Sequence, residues 1–137
     1  MHSGYEECRA DSVALYLMNF EEPFKIFFEN RESEWDDIHY VGWLDILTSS
    51  IKGLQYFNEE QKVWGQAHVL ASWVIFQAIR EGDPSVITLE FCKKDEKDYF
   101  YMKVDREKLR TSAFEALSKF LQKLHIYKSL GDYDSAK

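Results

Sequence analysis

Chain breakers are scarce in this sequence. Six glycines and two prolines stand among 137 residues, roughly half the usual combined share of about 12%, which disfavours a fold of many tight turns and favours long helices. No apolar run approaches the ~18 residues a membrane-spanning helix needs, and the N-terminal stretch lacks a basic region followed by an apolar core. Neither a membrane protein nor a secretory signal is therefore expected. Cysteine is equally sparse. Cys8 and Cys92 are far apart, and there is no CxxC and no Cys/His cluster with structural-zinc spacing. Two cysteines without a secretory signal suit free thiols in a cytoplasmic protein. The histidines His2, His39, His68 and His125 are scattered, so local sequence alone cannot assemble a complete histidine-based metal site. Positive charge is also short, with 17 Lys+Arg against 24 Asp+Glu and a net charge of −7. With no basic cluster, nucleic acid is a poor partner.

What is present is a large apolar and aromatic content: 45% hydrophobic residues, with 4 Trp, 8 Tyr and 10 Phe. That is enough for one domain with a real core, and rings left outside it would seek a partner surface. No repeat or linker interrupts residues 1–137, which read as a single segment. A first helix is expected from Ser3 to about Met18, opened by a capping box of Ser3 and Glu6 and closed near Asn19. Pro23 suits the first turn of a short second helix. A long helix is expected from about Glu34 to Phe57, with Ile38, Val41, Leu44, Leu47, Ile51 and Leu54 along one side. Asn58 would cap a fourth helix running to Glu81, before the stop at Gly82-Asp83-Pro84. The period then changes. Val86 to Phe91 and Tyr99 to Val104 read as a β-hairpin around a charged loop, Lys93 to Asp98. A last helix, about Arg106 to Ser129, carries Leu109, Ala113, Leu117, Phe120 and Leu124 and ends at Gly131. The expected class is mainly α: about five helices, with one small hairpin between the last two. Such a hairpin is marginal alone, which hints at a larger assembly.

Chemistry is suggested by one acidic pair. Glu7 and Asp11 stand four residues apart and leave the same side of the first helix, with Ala14 and Met18 in line. Like charges on a face that ought to be apolar need a cation, a protonated partner or open water. A divalent metal, or a metal-bound histidine taking a hydrogen bond, would satisfy them. On pattern alone a solvated first turn, favoured by the helix dipole and with Arg9 near enough to neutralise one acid, is the preferred explanation. His68, with Trp64 four before it and Ser72 four after, is placed mid-helix. It is either a packed residue or a catalytic one. Cys8 reads as a small buried residue, and Trp35, Trp43, Trp64 and Trp73 as core anchors.

The string Tyr5-Glu6-Glu7-Cys8-Arg9-Ala10-Asp11 closely resembles EECRAE, the second zinc motif of the dipeptidyl peptidase III family. The similarity continues at Tyr40-Val41-Gly42-Trp43-Leu44, at Leu54-Gln55-Tyr56-Phe57, at Trp64-Gly65-Gln66-Ala67-His68 and at Lys128-Ser129-Leu130-Gly131-Asp132. Several separated motifs in one order are more specific than any one of them. That family consists of cytosolic zinc exopeptidases that release dipeptides from the N-termini of oligopeptides. The resemblance makes Glu7 the third protein ligand of zinc, Asp11 the acid that orients a zinc histidine, and His68 a residue that binds substrate and stabilises the transition state. It also places residues 1–137 in the C-terminal part of the helical catalytic lobe.

Departures accompany the likeness. Asp11 is one methylene shorter than the family's glutamate, and Ser72 stands where an arginine is expected. No HExxGH occurs in the sequence, so the segment carrying the two zinc histidines and the general base, and the second lobe, are expected to be absent. The implied reading is a fragment of a zinc dipeptidyl peptidase, holding no zinc and inactive by itself. Its partner in the intact enzyme is an oligopeptide, and self-association through exposed apolar surface is a further expectation. The rival reading is a non-catalytic helical interaction module that keeps the scaffold.

Overall fold

The computed structural model describes residues 3–132 together with 134 and 135. Five helices form it: α1 (Ser3–Leu17), α2 (Glu21–Phe27), α3 (Trp35–Lys52), α4 (Ala67–Gly82) and α5 (Ser112–Leu130). Two antiparallel hairpins interrupt them, β1 (Phe57–Asn58) with β2 (Val63–Trp64), and β3 (Ile87–Lys94) with β4 (Lys97–Val104). The mainly α class with five helices is as the sequence predicts, and the β3–β4 hairpin lies between the last two helices. The β1–β2 hairpin is an addition.

α4 is the central helix and packs on α1, α3 and α5. Its Ala71, Ile75, Phe76 and Ile79 are buried against Trp43 and Leu47 of α3, Leu15 of α1, and Ala113 and Leu117 of α5. Val86 and Ile87 close this core at the foot of the long hairpin. Full burial of side chains of this size contributes about 1.5–3 kcal/mol each. Trp43 alone among the four tryptophans is fully buried.

The buried face of α3 is rotated from the expected one. His39, Trp43, Leu47 and Ser50 face inward, whereas Val41 and Leu54 are exposed. Aliphatic spacing misplaced this face because a histidine, a tryptophan and a serine occupy it. The Trp43 indole donates to His39 Nε2 at 3.1 Å, and Ser50 Oγ donates to the Leu47 carbonyl at 2.7 Å. Their polar atoms are thereby satisfied in the interior.

α3 also ends earlier than expected. A 3-10 turn, Gly53–Tyr56, follows it. No helix begins at Asn58. Asn58 Oδ1 accepts the Gln61 amide at 2.9 Å, and Lys62 has a left-handed φ of 56°, so this polar stretch turns back and pairs Phe57 with Trp64. The cap of α4 is Gln66, whose side-chain carbonyl accepts the Val69 amide at 2.7 Å.

Three further boundaries differ. The expected loop Lys93 to Asp98 is mostly strand: Lys94 pairs with Lys97, and only Asp95 and Glu96 turn, both at positive φ. Such a two-residue turn matches the twist of the strands it joins. The stretch before α5 is a 3-10 turn, Glu107–Arg110, and Gly131 ends α5 at φ 66°. At the start of α1, Glu6, the acid of the expected capping box, pairs with Arg9 and Lys128.

Candidate active site

α1 buries Tyr5, Cys8, Ser12 and Leu15. That row, and not the Glu7 row, is its core face, since Ala10 and Ala14 are exposed. Tyr5 reaches across to α5, where its hydroxyl donates to the Leu124 carbonyl. Cys8 lies against α4, its sulfur 4.0 Å from the Ala71 carbonyl oxygen. Burial pushes the Cys8 thiol up to about 12, so it stays protonated and inert, as a small buried residue should.

Glu7 and Asp11 flank this buried row, both half-buried. The sequence offered Arg9 as the cation for one of them. Instead Arg9 Nη2 contacts Glu6 Oε2 at 3.0 Å, and Lys128 Nζ meets the same carboxylate at 2.6 Å. Glu7 is paired with His68: His68 Nδ1 lies 3.2 Å from Glu7 Oε2. Burial raises the Asp11 carboxyl above the usual range, the nearby Glu7 pushes it the same way, and His68 partly opposes both. Glu7, Asp11 and His68 thus share one electrostatic neighbourhood, although 57 or more residues separate the histidine from the acids.

His68 is not mid-helix. It is the second residue of α4, and its side chain is 60% exposed. Trp64, four residues earlier, belongs to β2. Ser72 is buried, and its hydroxyl donates to the His68 carbonyl at 3.0 Å. The ring is therefore held by its backbone and by Glu7, with a face open to solvent. His68 stands in the first turn of α4, the helix's positive dipole end, which favours negative charge nearby.

Among the described residues, no group of three or more His, Cys, Asp or Glu stands close enough together to hold a metal ion. What the chain offers is one half-exposed carboxylate, a second acid one turn away and an exposed imidazole beside them.

Comparison with known proteins identifies the family. The model of peptidase family M49 matches residues 1–137. The chain belongs to that family. It is 34% identical over 138 residues to dipeptidyl peptidase 3 of Nematostella vectensis, and 36% identical over 132 residues to dipeptidyl peptidase 3 of Homo sapiens. Against dipeptidyl peptidase 3 of Dictyostelium discoideum it is 27% identical over 139 residues. These matches take in 100%, 95% and 98% of the chain but only 19%, 18% and 19% of the relatives. The chain spans about a fifth of the length of the curated M49 relatives it matches.

Proposed function

We propose that this chain forms part of the catalytic lobe of a zinc-dependent dipeptidyl peptidase acting on oligopeptides. In this reading Glu7 is a zinc ligand, Asp11 orients a zinc histidine, and His68 forms part of the substrate wall. The observation that carries it is the 3.2 Å contact between Glu7 and His68. Both stand in motifs by which the sequence resembles the dipeptidyl peptidases, and family M49 covers both.

The donor chemistry fits one ligand position. Arg9 and Lys128 are both drawn to Glu6, so the charge of Glu7 is left for His68 or an incoming cation. Carboxylate oxygen is an ordinary zinc ligand, and catalytic sites use three protein ligands with a fourth position for water. The remaining donors must come from another segment. Bound zinc supplies a water of lowered pKa and polarises the peptide carbonyl.

The chain's own residues would divide the remaining work. The raised carboxyl of Asp11 suits an acid that holds a neighbouring imidazole by a hydrogen bond, fixing the ring orientation. His68, exposed at a helix start, can donate to an oxygen on which charge develops. Glu7 balances positive charge between them.

The test uses a full-length peptidase carrying this segment, with zinc content and dipeptide release measured on one preparation. Glu7→Ala is expected to remove most zinc affinity and most activity together. Normal zinc and normal rate in that variant would overturn the assignment of Glu7 as a zinc ligand.

A further inference from the structure

His68 is exposed, and its position depends on how the chain enters α4. Three contacts fix that entry. The Gln66 side chain accepts the Val69 amide at 2.7 Å, and the Gly65 amide donates to the Tyr56 carbonyl at 2.8 Å. Gly53 also packs so tightly on the first turn of α4 that a Cβ there would lie 2.0 Å from Val69 Cγ1. The last two contacts tie α4 to the 3-10 turn that follows α3, and the short β1–β2 hairpin lies between them in sequence.

A hairpin with two residues in each strand has too few hydrogen bonds to hold itself. Its stability must come from side chains. Phe57 and Trp64 are cross-strand partners with ring centroids 5.1 Å apart. Trp64 meets Trp73 of α4 at 6.3 Å, and Trp73 stacks on the fully buried Phe76 at 5.5 Å and 22°. An unbroken row of rings therefore runs from the core out to the strand that leads into α4. Aromatic pairs at such distances attract beyond simple burial and resist sliding.

We propose that Trp64, through its ring contacts with Phe57 and Trp73, is a positioning residue that sets His68 against Glu7. Trp64 touches no reacting group. It fixes the β2 strand, and that strand fixes where the first turn of α4 begins. The inference rests on the functional reading above for its importance, but its geometry is separate from that reading.

The test is made on the 137-residue chain by NMR. Nuclear Overhauser contacts between the His68 ring and the Glu7 side chain report the pairing, and amide exchange from Ser72 to Ile79 reports the core of α4. In the wild type both are expected. Trp64→Ala should abolish the contacts while the α4 core stays protected, and Trp64→Phe should restore them. Should Trp64→Ala fail to fold, Phe57→Leu carries the test, since it removes a ring at the outer end of the row. It too should weaken the contacts. Contacts of wild-type strength in a folded Trp64→Ala chain, or in Phe57→Leu, would overturn the proposal. Metal and activity do not enter, so failure here leaves the zinc assignment of Glu7 standing.

Discussion

Glu7, Asp11 and His68 differ in what each would lose on substitution. In a full-length peptidase, His68→Ala should leave zinc content unchanged while kcat/KM falls roughly 100-fold or more, the scale for losing one oxyanion donor. A merely packed histidine would show the opposite, a lowered melting temperature with kinetics intact, and measuring all three on one preparation decides it. Asp11 adds a test on the 137-residue chain itself. Burial and the neighbouring Glu7 both oppose its charge, so its ionised form at neutral pH costs stability. Asp11→Asn should raise the melting temperature at pH 7, the usual pattern where a site residue is kept against stability. A fall would show that His68 already compensates the charge. The acidic pair was legible in the sequence because a four-residue spacing fixes its direction on a helix. The partner of Glu7 was not: Arg9 is nearer in sequence, and only the packing of α1 on α4 brings His68 to Glu7 and leaves Arg9 with Glu6. The resemblance named His68 without giving its setting in the first turn of α4.

The ends of α1 at Asn19 and of α5 at Gly131 follow from their breaking residues, whereas the stretch from Asn58 to Gln66 does not follow from its own. Its polar run suits a helix surface as well as a turn, and the ring pairing of Phe57 with Trp64 that decides the matter crosses a loop. The same limit hid the joint between α1 and α3. Asn19 ends α1 by donating to the Leu15 carbonyl at 2.8 Å, and its Oδ1 lies 2.9 Å from Nε2 of buried His39. The Trp35 indole donates to the Met18 carbonyl at 3.2 Å alongside. Burial, with Arg110 and then Arg106 adding to it and Asp36 opposing, lowers His39 to about 4. Protonation at Nε2 would exchange the bond accepted from the Trp43 N–H for one donated to Asn19 Oδ1 and would place a charge in the interior. In the unfolded chain this imidazole binds its proton near pH 6.5. Between about pH 6.5 and 4 the unfolded state therefore holds more protons than the folded state, and stability falls as the pH is lowered through that window. The loss amounts to on the order of 3 kcal/mol from a shift of this size. Denaturant titrations of the 137-residue chain at pH 7, 5.5 and 4 should show it, and His39→Gln should flatten the dependence. An equal slope in the variant would assign the acid sensitivity to the carboxylates instead.

Taken whole, the molecule leaves much of its aromatic and aliphatic content outside the core. Ile26, Phe27, Phe91 and Leu130 are all more than 70% exposed, and the helices also frame a groove of about 830 Å³. Val13 and Tyr16 of α1 and Leu121, Ile126 and Leu130 of α5 line it. In the groove, apolar side chains of two helices meet at the surface, where a partner could bury them. The aromatic count in the sequence foretold excess apolar surface, but not its place, because α5 has enough apolar residues to furnish both an inner face and this outer one. For the chain in isolation, the expected self-association would cover it with a second copy. A two-fold pairing would set the same strip of each chain against the other, with salt screening the repulsion of a net charge of −7. Sedimentation velocity at about physiological ionic strength should therefore show a dimer that dissociates on dilution. Paired charges at the groove, Ile126→Lys with Leu130→Lys, should hold the chain monomeric with its helicity unchanged, because both positions are exposed. Dimers that persist in that variant would move the contact to another surface, and the long hairpin, where Phe91 and Phe100 pair with ring centroids 4.9 Å apart beyond the core, would be the place to substitute next.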